Sequence, residues 1–210
     1  FVDGSPARSS FHLYRHQTEA IARARNSQSY IVTSGTGSGK TMSYLIPIFD
    51  AILRSQKRGV HAIIVYPMNA LVNSQEEALD ELAQRYQQHF GREMLVRYGA
   101  YTGQTDEAKR LAWRADPPHI ILTNYVMLEL MLIRGSDHRM INPANPLSFL
   151  VLDELHTYRG RQGADVALLV RRLKERTAKP NLLTVGTSAT MATGDDAALR
   201  RRVVADFASK

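Results

Sequence analysis

The chain has 210 residues, of which 44% are hydrophobic and 22% are charged, and none is cysteine. This length and composition predict a single domain over residues 1–210 in the reducing cytoplasm, and they exclude disulfide bonds, a thiolate metal site and a membrane span of roughly 18 apolar residues. The formal net charge of +7 favours an anionic partner, most commonly nucleic acid.

Short apolar runs alternate with amphipathic stretches along the chain, which is the pattern of a parallel sheet covered by helices. The runs are rich in β-branched or otherwise strongly apolar residues, as buried parallel strands are. The predicted strands are Tyr30–Thr33, Ala62–Tyr66, Met94–Tyr98, Ile120–Thr123, Phe149–Leu152 and Leu182–Gly186. The fold class is therefore predicted to be α/β, with a mainly parallel sheet.

A glycine-rich segment lies between the first predicted strand and the helix that follows it. Its glycines let successive backbone N–H groups point at phosphate oxygens, and the start of the helix adds its positive end. The lysine can reach the β- and γ-phosphates of ATP, and the last threonine can ligate Mg²⁺. A flexible Gly/Ser linker is the alternative, which the flanking strand and helix disfavour. The residues are Thr33, Ser34, Gly35, Thr36, Gly37, Ser38, Gly39, Lys40 and Thr41, with Ser34 where the strict pattern has glycine.

A polar segment, Tyr101–Thr105, follows the third predicted strand. It offers N–H and hydroxyl donors at the start of a helix, where they can either cap that helix or contact a phosphate group. The sequence leaves these two interpretations open.

An acidic pair follows the buried strand Phe149–Leu152 directly. The carboxyl end of a strand is where an open α/β sheet binds its ligand, so Asp153 is expected to hold Mg²⁺ opposite Thr41. Glu154 is expected to orient and deprotonate the attacking water. Such a pair alone is most often a helix cap, but the upstream phosphate loop favours the catalytic interpretation. A basic loop then follows, Arg159–Gly163, and is expected to face nucleic acid or a second domain, unless it is only solvated.

These motifs, in this order, resemble those of the DExH helicases of superfamily 2, whose motor domains have a RecA-like sheet with helices on both faces. Asp153-Glu154-Leu155-His156 is similar to motif II of that family. Further similar segments are Leu13–Gln17 (the adenine-reading Q-motif), Tyr66–Leu71 (motif Ia), Thr123–Tyr125 (motif Ib) and Thr187–Thr190 (motif III).

The resemblance implies roles for several residues. Gln17 would recognise the adenine base, and His156, Ser188 and Thr190 would link the ATP site to nucleic-acid binding. One edge of the domain would hold a single strand by its phosphates. The candidates there are Pro67, Asn69, Ala70, Gly103, Gln104, Thr105, Thr123 and Asn124.

The resemblance also implies a longer protein. The chain starts without Met, and a second RecA-like domain is expected after Lys210. We expect DNA as the partner, because the segments Leu152–Gly163 and Tyr66–Leu71 resemble those of large prokaryotic DExH helicases. An RNA helicase motor domain, a regulatory nucleotide-binding module and a phosphotransferase remain alternatives.

Overall fold

The computed structural model describes residues 12–35, 37–158 and 160–189. Within them the chain forms six strands and six α-helices, with two short 3-10 turns at Gly135–Asp137 and Leu155–Thr157. The strands are β1 Tyr30–Ser34, β2 Ala62–Tyr66, β3 Tyr98–Ala100, β4 Ile120–Asn124, β5 Phe149–Leu152 and β6 Leu183–Ala189. The helices are α1 Arg15–Arg25, α2 Lys40–Ser55, α3 Asn69–Phe90, α4 Glu107–Ala115, α5 Tyr125–Ile133 and α6 Arg161–Thr177.

The strands form one sheet in the order β1-β6-β5-β2-β4-β3. Every pairing within it is parallel. This confirms the predicted α/β class and its parallel sheet. All carboxyl ends of the strands therefore lie along the same edge of the sheet, where ligand loops of such folds are found.

Alternate residues of the strands point into two separate apolar layers. One layer packs Val32, Ile64 and Leu122 against α1, α2 and α3. The other packs Ile63 and Leu150 against α5 and α6. Helices therefore cover both faces, which is why the central strands read as continuous apolar runs. Among the described residues, no helix combines the length and the apolarity that crossing a membrane requires.

The predicted strand Met94–Tyr98 is wrong, because β3 spans Tyr98–Ala100 and shares only Tyr98 with it. β3 is an edge strand that pairs with β4 alone, beginning at Tyr98 opposite Ile120. The residues preceding β4 include Pro117 and Pro118, which have no N–H to donate to a ladder. Arg97 alone of this stretch reaches β4, through its carbonyl and the His119 and Ile120 N–H groups, so residues 94–96 lie outside the ladder, and Leu95 is among the exposed apolar residues.

Candidate nucleotide and nucleic-acid sites

The phosphate loop connects β1 to α2 and depends on left-handed glycines. Gly37 and Gly39 have φ of 72° and 74°, a region that other residues rarely adopt. Gly39 is the N-cap of α2, so the helix starts directly at Lys40. A Cβ on Gly39 would also lie 2.7 Å from the Gln17 Nε2 atom. Thr36 lies outside the described residues.

Lys40, Ser34 and Ser38 form hydrogen bonds within this loop. The Lys40 ammonium donates to the carbonyl oxygens of Ser34 (2.9 Å) and Gly35 (3.1 Å). The hydroxyl oxygens of Ser34 and Ser38 are 2.5 Å apart. The predicted Mg²⁺ ligand Thr41 is half-buried in the first turn of α2. The loop therefore keeps its lysine and hydroxyl groups next to the α2 N-terminus.

Gln17 joins α1 to the phosphate loop. Its side chain is only 2% exposed. Its Oε1 accepts a hydrogen bond from the Tyr14 N–H (2.9 Å), and its Nε2 donates to the Gly39 carbonyl (2.9 Å). The side chain expected to read adenine is therefore also a structural link that holds Gly39 against the start of α1.

The acidic pair lies at the carboxyl end of β5, beside β6. The Thr187 hydroxyl of β6 donates to Asp153 Oδ1 and accepts the Glu154 N–H at 3.1 Å. Burial raises the pKa of the Asp153 carboxyl, the Thr187 hydroxyl partly opposes this rise, and the neighbouring Glu154 adds to it. The positive charge of Lys40 acts to lower this pKa, although the Lys40 ammonium itself is bonded to the Ser34 and Gly35 carbonyls.

Glu154 adopts an unusual backbone conformation. Its φ and ψ are both 51°, in the left-handed region that a non-glycine residue seldom occupies. Its Oε2 atom is 3.0 Å from His156 Nδ1. The turn at Leu155–Thr157 thus places the histidine of the motif beside the carboxylate of the glutamate.

The contact of Thr187 with the acidic pair could not be predicted from the sequence, although Thr187 belongs to the motif III segment. The coupling role that the resemblance implies for Ser188 and Thr190 stays a prediction. The Ser188 hydroxyl donates locally to the Ala189 carbonyl (3.3 Å), and Thr190 lies outside the described residues. Thr187 is fully buried and is the β6 residue that contacts the acidic pair. The contact depends on β5 and β6 being adjacent in the sheet, and the sequence alone does not show which strands are adjacent.

The other half of the sheet edge carries the predicted nucleic-acid residues. The Asn124 Nδ2 donates to Asn69 Oδ1 at 2.6 Å, which joins the ends of β2 and β4. The Asn124 Oδ1 accepts the Met127 N–H (2.8 Å) and so caps α5. Nearby, Pro67 is half-buried and Ala70 is exposed. These residues from motifs Ia and Ib therefore form one connected surface.

Thr123 requires a correction. It was predicted to contact nucleic acid, but its side chain is fully buried, and its hydroxyl donates to the Tyr101 carbonyl at 2.7 Å. Thr123 directly precedes Asn124 in β4, and its side chain points to a covered face of the sheet. Its side chain therefore lies beneath the surface that Asn69 and Asn124 form.

The segment after β3 forms a self-contained loop. Gly103 and Gln104 are exposed. The Thr105 hydroxyl donates to the Ala100 carbonyl (3.0 Å) and accepts the Thr102 N–H (2.9 Å). Asp106 caps α4, so the loop precedes the helix and does not begin it. Of the basic loop at 159–163, Arg161 already belongs to α6, and Arg159 lies outside the described residues.

The sequence profile of the DEAD/DEAH box helicase family matches residues 14–197. The chain belongs to the DEAD/DEAH box helicases. It is 31% identical over 162 residues to the uncharacterized ATP-dependent helicase YprA of Bacillus subtilis, an alignment that covers 77% of this chain and 20% of YprA. The chain therefore spans about a fifth of the length of that helicase.

Solved structures agree with this family and with a RecA-like fold. The crystal structure of the DUF1998 helicase MrfA superposes with a TM-score of 0.78 and 29% identity, covering 97% of this chain and 30% of MrfA. MrfA bound to DNA and AMPPNP superposes with a TM-score of 0.73 and 25% identity, covering 94% and 26%. This helicase domain thus has the α/β architecture that its sequence predicted.

Proposed function

We propose that this domain binds and hydrolyses ATP as one half of a helicase motor that acts on DNA. One observation carries the proposal. The adjacent ends of β1, β6 and β5 bring the phosphate loop with Lys40, Thr187 and the Asp153–Glu154 pair to the same stretch of the sheet edge, where the Thr187 hydroxyl is bonded to Asp153. A loop for phosphates beside an acid and a base is the equipment that phosphoryl transfer to water requires.

The residues of the site suit a magnesium ion bound with ATP. Thr41 supplies a hydroxyl oxygen and Asp153 a carboxylate, the hard oxygen ligands that Mg²⁺ prefers. The raised pKa of Asp153 reflects a buried charge that a cation would stabilise. When bound, Mg²⁺ would neutralise charge on the β- and γ-phosphates.

The protein groups would act on the phosphates and on water. Lys40 would exchange its two loop carbonyls for phosphate oxygens, which are stronger acceptors because they are charged. Glu154, with His156 beside it, would orient the water and accept its proton. The backbone N–H groups at the start of α2 would stabilise negative charge without reorganising.

One relative favours DNA as the nucleic acid. MrfA, at 25% identity, has been solved with DNA and AMPPNP. The net charge of +7 also suits a polyanion, although it does not discriminate DNA from RNA. The strand would cross the half of the edge formed by β2, β4 and β3, where Asn69, Asn124 and the exposed Gly103 lie. An RNA helicase is the alternative, and a regulatory module is disfavoured by the intact Lys40 and Glu154.

The rest of the protein is part of the same proposal. YprA and MrfA are three to five times longer than the aligned chain, judged from the 20% and 30% that the chain covers. We propose that a second RecA-like domain completes the ATP site with arginine side chains. The cytoplasmic location stays a prediction, based on the lack of cysteine.

The test compares matched strands on the full-length protein. ATP turnover is measured with no nucleic acid, with a single-stranded DNA and with an RNA of the same base sequence. We expect DNA to stimulate turnover more than RNA does, and Lys40→Ala to lose about 100- to 1,000-fold in turnover with either strand. Equal or greater stimulation by RNA would favour the RNA alternative, and undiminished turnover of folded Lys40→Ala would exclude the ATP site.

A further inference from the structure

Arg110 of α4 forms hydrogen bonds with three carbonyl groups of the loop at residues 102–105. Its Nε donates to the Thr105 carbonyl (2.8 Å), and its Nη2 donates to those of Thr102 (2.9 Å) and Gly103 (3.1 Å). Its guanidinium also lies 5.7 Å from the centre of the Tyr101 ring. Three carbonyls are thereby turned toward the helix and away from the exposed rim of the loop.

The remaining groups of the loop are also mostly satisfied from within. The Thr102 N–H is bonded to the Thr105 hydroxyl (2.9 Å), and the Gln104 N–H to the Thr102 hydroxyl (3.2 Å). The Thr105 N–H reaches the Thr102 carbonyl at 3.3 Å. Among the described residues, the Gly103 N–H has no acceptor, and Gly103 is exposed. The loop therefore presents one unused backbone donor and no outward carbonyl from these three residues.

Tyr101, which directly precedes this loop, belongs to a cluster with Arg114 and the buried Asp137. The Tyr101 hydroxyl and the Arg114 Nε both donate to Asp137 Oδ1 at 2.8 Å. Asp137 is fully buried, and its Oδ2 has no hydrogen-bond partner among the described residues. Asp137 therefore connects Tyr101 to Arg114 of α4. Thr123 holds the Tyr101 carbonyl from β4.

We propose that Arg110 is a positioning residue that shapes this loop so that the Gly103 N–H donates to a phosphate group of a bound strand. This inference rests on the proposed function, because it identifies a contact on the nucleic-acid half of the edge. An oriented backbone N–H without nearby carbonyl oxygens is a good phosphate donor. Three of the five N–H bonds of Arg110 are engaged with the loop, so its role is to orient it and not to meet the phosphate itself.

The test uses Arg110→Lys in the full-length protein. Lysine keeps the charge but loses the planar fork that holds three carbonyls. We expect affinity for single-stranded oligothymidylate to fall about tenfold, the scale of one lost charge-assisted hydrogen bond. ATP affinity and strand-free ATP turnover should not change. Arg97→Lys is the matched control, because Arg97 forks onto Asp116 and the Pro117 carbonyl at the opposite edge of the sheet.

Strands with one phosphate replaced by a neutral methylphosphonate locate the contact. We expect one position at which the replacement weakens the wild-type protein but does not weaken Arg110→Lys further, while the two losses add at all other positions. A wild-type affinity in Arg110→Lys would overturn the inference. The inference would also be overturned if Arg110→Ala lost strand affinity while Arg110→Lys kept all of it, because the positive charge itself would then make the contact.

Amide exchange gives a measurement that needs no variant. In the wild-type protein, exchange in the peptide that covers residues 102–105 should slow when oligothymidylate binds. Unchanged exchange with the strand bound would overturn the inference while leaving the proposed function in place. If the wild-type protein binds no strand at all, the proposed function fails and this inference fails with it.

Discussion

Asp153 is a half-buried carboxyl group whose pKa is raised in the folded protein. Burial and the neighbouring Glu154 raise its pKa, although Thr187 and Lys40 partly compensate. Because the folded pKa lies above the ordinary value of about 3.9, the folded state binds the proton more tightly than the unfolded chain does. The ionised carboxylate therefore costs stability at neutral pH, and the cost shrinks as the pH falls toward the folded pKa.

Asp153→Asn should consequently make the protein more stable. The amide oxygen can still accept the Thr187 hydroxyl, while the buried charge is removed. We expect the free energy of unfolding to rise by about 1 kcal/mol, the usual scale for relieving a functional site, and ATP turnover to be lost. Thermal melting and a turnover assay check both parts. A lower melting temperature would show that the carboxylate is stabilising.

Tyr158 gives a second prediction for a single residue. Its buried hydroxyl has no hydrogen-bond partner among the described residues, whereas the Tyr30 hydroxyl donates to the Ser43 carbonyl at 2.8 Å. Tyr158→Phe should leave the free energy of unfolding unchanged or raise it, because no hydrogen bond is lost. The matched variant Tyr30→Phe should lower it by about 1 kcal/mol. Equal losses in denaturant titrations of the two variants would contradict this expectation.

At the scale of elements, two histidines lie where β2 and β4 begin. His61 Nε2 is 2.9 Å from the Lys57 carbonyl oxygen, and His119 Nδ1 accepts the Arg97 N–H at 3.0 Å. Burial lowers the pKa of both rings. The unfolded chain therefore takes up protons as the pH falls through about 6.5, before the folded protein does. Their contribution to stability is complete above that pH and is lost as the pH falls below it.

Melting temperatures between pH 8 and pH 5 test this dependence. We expect the melting temperature to fall on acidification, and His119→Gln to weaken the fall because the amide cannot take up a proton. His89→Gln, at an exposed position on α3, is the control and should keep the wild-type slope. A wild-type slope in His119→Gln would show that other groups cause the dependence.

How well each strand could be predicted from the sequence depends on how it is buried in the sheet. β2 and β5 were predicted with their observed bounds, because they are buried on both faces and are flanked by His61 and Pro67 or by Ser148 and Asp153, none of which continues the apolar run. β3 was misplaced because Gly99 and Ala100 are small. A Cβ on Gly99 would lie 2.3 Å from the Trp113 ring, so a close ring contact, and not local apolarity, selects these residues.

The phosphate loop and the acidic pair can be proposed from the sequence, because their residue types and the neighbouring strands are local features. The contact of Thr187 with Asp153 could not, because it depends on β6 lying beside β5, and strand order is a property of the whole sheet. The burial of Thr123 likewise depends on which side of β4 faces Tyr101. In both cases the contact joins residues that are far apart in the sequence, and a local sequence pattern does not show such contacts.

At the scale of the whole molecule, the strand order divides the sheet edge into two halves. β1, β6 and β5 carry the proposed ATP site, and β2, β4 and β3 carry the proposed nucleic-acid surface. β5 and β2 are neighbours, paired through Val65 and Leu152, so the two halves meet directly beside Asp153. This arrangement gives a short physical connection between phosphate chemistry and strand binding.

The most direct test of this account is the Glu154→Gln variant of the full-length protein. The amide retains the shape of the side chain but cannot accept a proton from water. We predict ATP binding at least as tight as that of the wild type, with DNA-stimulated turnover reduced by about 100-fold or more. Near wild-type turnover by a folded Glu154→Gln protein would contradict the assignment of Glu154 as the base and, with it, the proposed ATP-hydrolysing site.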